Sequence, residues 1–256
     1  MIVELLHYLF LPHARLARRV GALRGLIALA ARARRCRHAW APHQAASKAA
    51  IVAALDHVPG RDLAVVCGSG LLQDVPLDVL AERFARVVLV DLCHLPAARA
   101  VAHRFANVSL LEHDLSGVLE ALAARPATLP ELAASIPDAD RADLVVSANC
   151  LSQIPLGALD LAQADDDALA AWAPRLVAAH LDALRACAGT VVLVSDVEQH
   201  RLKASDGAVQ DTTDLLFGVP EPALLDRREW WWDLAPAPEA FRASHLRHRV
   251  VAGRLA

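Results

Sequence analysis

The spacing of apolar residues divides the chain into two parts near residue 60. In the first part, apolar side chains recur at every third or fourth position from Leu16 onward, which is the period of an amphipathic helix. This spacing predicts one long helix or two short ones over residues 14–41, a break at Pro42, and a further helix over residues 45–57. We therefore expect residues 1–60 to form a helical N-terminal segment that serves as a lid or an interface.

After residue 60 the apolar residues come in short continuous runs, which are typical of strands buried on both faces of a parallel sheet. Such strands are predicted over residues 63–67, 87–90, 108–111, 143–147 and 190–194. Helices are predicted over residues 77–85, 96–105 and 174–187, and an irregular or helical stretch over residues 115–134. Residues 230–232 and 248–251 are predicted to form an antiparallel pair of strands at one edge of the sheet. The alternation of strands and helices predicts an α/β fold for residues 61–256, with a doubly wound, mostly parallel seven-stranded Rossmann-like sheet.

Two glycines and an acid stand at the ends of the first two predicted strands. The first strand ends in Gly68-Ser69-Gly70, where the glycines let the backbone approach a ligand without an intervening Cβ atom. Asp91 ends the second strand, 21 residues after Gly70, and an acid in this place accepts hydrogen bonds from ribose hydroxyls. This constellation predicts a site for an adenosine-containing cofactor at the carboxyl edge of the sheet.

Polar residues also follow the third and fourth predicted strands, where Asp114 and Asn149 stand. Ligands of open α/β sheets bind outside the carboxyl ends of the strands, so these side chains are expected to converge on the same site. For Asp114 a helix cap or a turn is an alternative role, and for Asn149 the alternative is a loop residue that satisfies backbone groups.

From Ala64 to Val194 the sequence resembles the class I S-adenosylmethionine-dependent methyltransferase family. The resemblance implies S-adenosylmethionine as the cofactor, with a glycine loop beneath it, an acid on its ribose and an acid on its adenine amine. The cofactor-binding residues that it implies are Gly68, Ser69, Gly70, Asp91, Leu92, Asp114, Leu115, Asn149 and Cys150.

The glycine motif departs from the family pattern at two positions. Val66 stands where the family usually has an acid, and Leu72 stands where a third glycine or small residue is usual. The position of the third glycine in the dinucleotide motif GxGxxG is Gln73, which argues against a nicotinamide dinucleotide. The chain also lacks the phosphate loop GxxxxGK[ST].

A general base is needed only if the methyl acceptor arrives protonated. The candidates near the carboxyl edge are His94, Asp196 and His200, and His43 in the helical segment is a further one. Most of the 12 histidines are nevertheless expected to be surface or structural residues. Cys150 has no assignable partner that would make it a nucleophile.

Three residues are candidates for contact with the substrate, and each has a structural alternative. His43 lies in the helical segment and contacts substrate if that segment folds over the site, but it could equally belong to an extended core or a dimer interface. Gln153 follows Asn149 and Cys150. Trp231 alternates with Trp230 and Trp232 on a strand, so its indole either covers a substrate or packs in a core. We expect substrate choice to reside in residues 1–60 and in a loop over residues 196–222.

Charge and cysteine content narrow the class of partner. The net charge is −3, so the overall electrostatic field does not favour binding of nucleic acid. Eight arginines from Arg15 to Arg37 could nevertheless bind a phosphate, an anionic lipid or an acidic partner, or they could form a solvated helix face.

Five scattered cysteines predict reduced thiols in the cytoplasm, and the pair His245 and His248 does not predict a metal site. No transmembrane helix or secretory signal is predicted.

These observations favour a cytoplasmic methyltransferase that acts on a small molecule, with a homodimer as a possible state. The alternatives are a non-catalytic protein that binds S-adenosylmethionine or S-adenosylhomocysteine, supported by Val66, and a nucleic-acid methyltransferase guided by the arginines. The second alternative predicts strongly salt-dependent binding of nucleic acid.

Overall fold

The computed structural model describes residues 15–124, 130–162 and 166–256. Its helices are α1 Arg15–Arg19, α2 Ala22–Arg35, α3 Arg37–Ala54, α4 Leu77–Arg83, α5 Pro96–Ala102, α6 Leu119–Ala123, α7 Gln153–Ala162 and α8 Asp166–Arg185. Its strands are β1 Leu63–Cys67, β2 Arg86–Asp91, β3 Val108–Glu112, β4 Leu144–Ala148, β5 Thr190–Lys203, β6 Val209–Asp214, β7 Leu224–Ala235 and β8 Ser244–Leu255.

The strands of the described residues form one sheet in the order β3-β2-β1-β4-β5-β8-β7. The first five of these run parallel, and β8 and β7 are antiparallel to their neighbours. The chain reverses its direction of winding between β1 and β4, which creates a crevice at their carboxyl ends. The predicted doubly wound α/β sheet is thereby confirmed, with β6 as an eighth strand paired to the end of β5.

Two apolar cores cover the faces of the sheet because successive strand residues point to opposite sides. Val66 points to the core beneath α3 and α4, where Ile51 and Leu80 are fully buried. Val65 points to the core beneath α8, which includes Leu181. Burial on both sides explains the continuous apolar runs of the parallel strands.

Two prolines lie inside helices and correct the predicted boundaries. Pro42 does not end a helix but lies within α3, and the chain breaks instead at Gly21, whose φ is +73°, and at Cys36. Pro174 lies within α8 instead of in its first turn. A proline removes one backbone hydrogen bond from a helix. The buried face of each helix, which includes Trp40 and Ile51 in α3 and Leu176 and Leu181 in α8, outweighs that loss.

The segment predicted as a loop over residues 196–222 is largely strand. β5 continues from the buried run Val191–Val194 to Lys203, through a bulge between Asp196 and Glu198, and returns as β6. This extension was not predicted because it has polar residues on both faces and so shows neither a continuous apolar run nor an alternation of apolar and polar residues. The helix α7 was also not predicted, because its apolar residues follow the strand exit without a clear start signal.

The helical N-terminal segment lies over the sheet as far as it is described. α3 packs along β7 and β8, and α2 lies above the carboxyl edge. Residues 1–14, which include the start of the first predicted helix, lie outside the described residues. In the part of the chain that the structure describes, no helix is both long and apolar enough to cross a membrane.

Candidate active site

A cavity of about 670 Å3 opens at the carboxyl ends of β1, β2 and β4. The strand ends form its floor, and the helices α2 and α3 form its roof. Side chains of β5, β7 and β8 close one end of it. The cavity thus occupies the crevice where open α/β sheets bind their ligands.

The turn after β1, Gly68 to Gly70, is the backbone floor of the cavity. Gly68 has a φ of +73°, and a Cβ atom there would lie 2.5 Å from the carbonyl oxygen of Ala148. Gly70 has a φ of +47°, but a Cβ atom there would have no neighbour closer than 3.8 Å. The first glycine therefore permits close packing against β4, and the second leaves open space beside Asp91 for a ligand.

The carboxylate of Asp91 is fixed at the edge of the cavity by two backbone amides. Gly70 N–H donates to Oδ2 and Leu92 N–H donates to Oδ1, both at 2.7 Å. The backbone amide of Cys93 also acts on this carboxylate as a hydrogen-bond donor, and the four lone-pair sites of a carboxylate leave acceptor capacity for a ligand. Burial raises the pKa of Asp91 above its ordinary value. The arrangement presents two oriented acceptors, which suits a pair of neighbouring hydroxyl groups.

Asp114 lines the cavity and also caps the turn that follows it. Its Oδ1 accepts hydrogen bonds from the backbone N–H and the hydroxyl of Ser116, and its Oδ2 accepts one from Leu119 N–H at 2.8 Å. The capping role that the sequence left open is therefore present. Oδ2 retains one lone pair, and Leu92 and Leu115 add apolar surface at this end of the cavity.

Asn149 and Asp74 form a hydrogen-bonded pair in the middle of the cavity wall. Asn149 Nδ2 donates to Asp74 Oδ2 at 2.6 Å, joining the end of β4 to the loop after β1. Asn149 adopts a φ of +51°, which is rare for a residue with a side chain. Its Oδ1 is buried and has no hydrogen-bond partner. Burial raises the pKa of Asp74.

Aromatic side chains from α3 and β7 close the far end of the cavity. The imidazole of His43 stacks on the indole of Trp232, which meets Trp40 edge to face with a 5.0 Å centroid separation. Trp230 Nε1–H donates to His43 Nδ1 at 3.1 Å. That bond places the ring proton of a neutral His43 on Nε2, and burial lowers its pKa to about 4. We call His43, Trp40 and Trp232 the aromatic wall.

Asp196 and His248 form a buried pair beside the aromatic wall. His248 Nδ1 lies 2.7 Å from Asp196 Oδ2, and the hydroxyl of Ser152 donates to Asp196 Oδ1 at 2.5 Å. The other ring nitrogen of His248 lies 3.1 Å from Gln199 Oε1. Both Asp196 and His248 reach the cavity surface. A carboxylate and an imidazole in contact can hold or pass on a proton.

Most of the predicted cofactor-binding residues converge on the cavity. They are Gly68, Gly70, Asp91, Leu92, Asp114, Leu115, Asn149 and Cys150, together with the predicted substrate residues His43 and Gln153 and the predicted base Asp196. Cys150 is an unreactive thiol at neutral pH, because burial raises its pKa to about 12.

Four predicted site residues do not line the cavity. Ser69, within the glycine turn, and His94 are both fully buried, and the hydroxyl of Ser69 lies 3.1 Å from His94 Nε2. His200 and Trp231 contact one another on the opposite face of the β5 to β8 region, with ring centroids 4.8 Å apart. The bulge after Asp196 and the alternation of β7 carry these two side chains away from the site.

The residues predicted for the site from the sequence do not include Asp74, Trp232 or His248. Asp74 lies in a loop with no periodic pattern, the strand pattern gives Trp232 only as a neighbour of Trp231, and His248 enters only as half of a histidine pair that predicts no metal site. The alternation of β7 indicates that Trp232 shares a face with Trp230 and not with Trp231. The contact of His248 with Asp196 depends on the register of β8 against β5.

The described residues contain no group of three or more His, Cys, Asp or Glu side chains arranged to hold a metal ion. All five cysteines are free thiols.

Comparisons with known proteins give distant likenesses. No family model matches the chain, and no curated protein matches it. Among solved structures, the 1,6-didemethyltoxoflavin-N1-methyltransferase of Burkholderia thailandensis is 17% identical over 83% of this chain and 79% of its own, with a TM-score of 0.38. DhpI, solved with S-adenosylhomocysteine, is 16% identical over 88% of this chain and 93% of its own, with a TM-score of 0.40. The N-methyltransferase NodS of Bradyrhizobium japonicum is 13% identical over 82% of this chain and 85% of its own, with a TM-score of 0.36.

The fold and the cavity together define a Rossmann-like α/β protein with a cavity at its topological switch point. At such low similarity, the chemistry of the site has to be inferred from the residues of the cavity itself.

Proposed function

We propose that the protein is an S-adenosylmethionine-dependent methyltransferase that acts on a small molecule. The observation that carries this proposal is the Asp91 carboxylate, held by Gly70 and Leu92 amides beside a glycine that leaves ligand space. In the proposed complex, Asp91 accepts hydrogen bonds from both ribose hydroxyls. Asp114 Oδ2 accepts one from the adenine amine between Leu92 and Leu115.

The charge of the cavity supports a cationic cofactor. Four carboxylates line it, from Asp74, Asp91, Asp114 and Asp196, whereas the only Arg or Lys side chain among the described lining residues is Arg32. A pyrophosphate would meet repulsion here, since like charges in a poorly solvated site disfavour one another. A sulfonium with an ammonium group is attracted to the same carboxylates.

When bound, S-adenosylmethionine supplies an electrophilic methyl group that a nucleophile displaces in line. The protein's part is to align the acceptor and exclude water. We assign the aromatic wall to the acceptor, because its rings line the same cavity as the glycine turn, and we assign Gln153 of the same lining to the acceptor as well. The Asp196–His248 pair takes up a proton from an acceptor that arrives protonated.

In the proposed complex the helical segment of residues 1–60 acts as the lid. α2 contributes Gly25 and Leu29 to the cavity roof, and Gln44 of α3 donates to Gln73 Oε1 at 2.8 Å, tying the lid to the loop after β1. This arrangement shields the cavity from bulk water and limits access to a small acceptor. The cytoplasmic location stays a prediction, supported by the reduced thiols.

The proposal is tested by calorimetric titration with S-adenosylmethionine, S-adenosylhomocysteine and NADH. We expect the two adenosyl ligands to bind and NADH not to bind. Asp91→Asn should weaken both adenosyl ligands by about tenfold or more, the scale of lost hydrogen bonds to a charged group. Asp62→Asn, an exposed acid at the opposite edge of the sheet, is the control. Binding without methyl transfer to any amine or hydroxyl compound would favour the non-catalytic alternative.

A further inference from the structure

One polar pair of the cavity lining has no part in the proposed ribose and adenine contacts. It consists of Asp74 and Asn149. The Asp74 carboxylate receives one hydrogen bond from Asn149 Nδ2 at 2.6 Å. In the described part of the chain, no arginine or lysine forms an ion pair with Asp74; Lys48 acts on it only as a more distant charge.

The orientation of the Asn149 amide is fixed by this contact. Nδ2 donates to the carboxylate and also lies 3.5 Å from His43 Nε2, which leaves Oδ1 buried and without a hydrogen-bond partner. A buried carbonyl oxygen without a hydrogen bond is unfavourable, so such an atom calls for a donor that a ligand would bring. The left-handed backbone of Asn149, with a φ of +51°, holds the side chain in this place at a further conformational cost.

Asp74 and Asn149 both line the cavity, so the pair combines an anionic acceptor with a buried amide oxygen that has no partner. A primary ammonium group carries three N–H donors and one positive charge, and it satisfies both acceptors at once. A hydroxyl or a neutral amide would leave the charge of Asp74 uncompensated. The position also suits the cofactor, because Asp74 is close enough to Asp91 for its charge to raise the pKa of that carboxyl.

We propose that Asp74, with Asn149 Oδ1, binds the ammonium group at the amino-acid end of the cofactor. This inference rests on the proposed function. In it, Asp74 supplies the negative charge that Val66, which is buried in the apolar core, cannot supply. An ammonium group could also come from an amine substrate. The experiment distinguishes these sources, because the cofactor product can be compared with a fragment that lacks the amino acid.

The test measures the affinities of S-adenosylhomocysteine and of 5′-methylthioadenosine, which keeps the nucleoside and the thioether but has no ammonium group. The variants are Asp74→Asn, which keeps the shape and removes the charge, Asp91→Asn, and Asp78→Asn, an exposed acid four residues further along. Thermal melting of each variant confirms that it is folded.

We expect Asp74→Asn to lower the affinity for S-adenosylhomocysteine by about tenfold or more and the affinity for 5′-methylthioadenosine by less than about twofold. Asp91→Asn should weaken both ligands alike, and Asp78→Asn neither. Equal weakening of both ligands by Asp74→Asn would assign Asp74 to the structure of the loop and overturn the inference. No weakening of either would also overturn it, while the Asp91 result would leave the proposed function standing. If neither ligand bound the unmodified protein, both proposals would fall.

Discussion

The imidazole of His43 lies face to face on the indole of Trp232, with ring centroids 4.0 Å apart and planes 9° from parallel. Because His43 belongs to α3 and Trp232 to β7, this stack joins the helical N-terminal segment to the antiparallel end of the sheet. The same pair forms part of the cavity surface. The stack therefore contributes both to the docking of α3 and to the shape of the proposed acceptor site.

Trp232→Ala should reduce the free energy of unfolding by about 3–5 kcal/mol, the usual effect of removing a large buried aromatic side chain. The matched control is Trp231→Ala, since Trp231 is 40% exposed whereas Trp232 is 8% exposed. We expect the control to lose less than about 1.5 kcal/mol, part of it from its contacts with His200 and Arg247. Urea unfolding followed by tryptophan fluorescence measures both. Equal effects of the two variants would show that Trp232 is not packed as described.

The two glycines of the turn after β1 should respond differently to alanine. Gly68→Ala would force a Cβ atom against the Ala148 carbonyl and should destabilise the fold beyond the left-handed backbone penalty of about 1–2 kcal/mol. Gly70→Ala has free space, so it should show that penalty alone, but its methyl group would stand beside Asp91 and weaken S-adenosylhomocysteine. Thermal unfolding and calorimetric titration of both variants test this contrast. Unimpaired ligand binding by Gly70→Ala would contradict the placement of the ribose.

Asp74→Asn should stabilise the ligand-free protein at neutral pH. Burial raises the pKa of Asp74 in the folded state above 3.8, so the folded state binds the proton more tightly than the unfolded state does. As pH rises through this window the folded protein must release the proton, and its stability falls. The variant removes that loss, and its melting temperature at pH 7 should exceed that of the parent, with the gain vanishing towards pH 3.8. A lower melting temperature of the variant at pH 7 would contradict the claim that the buried Asp74 carboxylate destabilises the ligand-free protein at neutral pH.

His180 should contribute to loss of stability in mild acid. Burial lowers its pKa to about 4 in the folded state, from 6.5. Between these values the unfolded state binds more protons, so the contribution of His180 is complete above pH 6.5 and is lost as the pH falls towards 4. His180→Gln should flatten the stability profile in that range, measured by urea unfolding at stepped pH. His103→Gln, on an exposed site, should keep the parent slope, and an unchanged slope in His180→Gln would refute the assignment.

The parallel strands and the core of the cofactor site could be predicted from the sequence because their signals are local. Continuous apolar runs mark strands with two buried faces, and the glycines and Asp91 stand directly at their ends. The apolar runs located β1 to β4 to within a residue or so of their observed bounds.

The remaining site residues could not be predicted because they depend on contacts between distant segments. Asp196 and His248 are 52 residues apart and meet only through the register of β5 and β8, which a bulge shifts. Asp74 and Asn149 are 75 residues apart, and Asp74 comes from an irregular loop. The helix end predicted at Pro42 was wrong because the packing of α3 against β7 outweighs the one backbone hydrogen bond that the proline removes.

The most direct test of the central claim is a crystal structure of the protein grown with S-adenosylhomocysteine. We predict the nucleoside at the carboxyl ends of β1 and β2, with one ribose hydroxyl on each Asp91 oxygen and the adenine between Leu92 and Leu115. A ligand bound elsewhere on the protein, or a cavity that stays empty at saturating ligand concentration, would contradict the assignment of this site to S-adenosylmethionine.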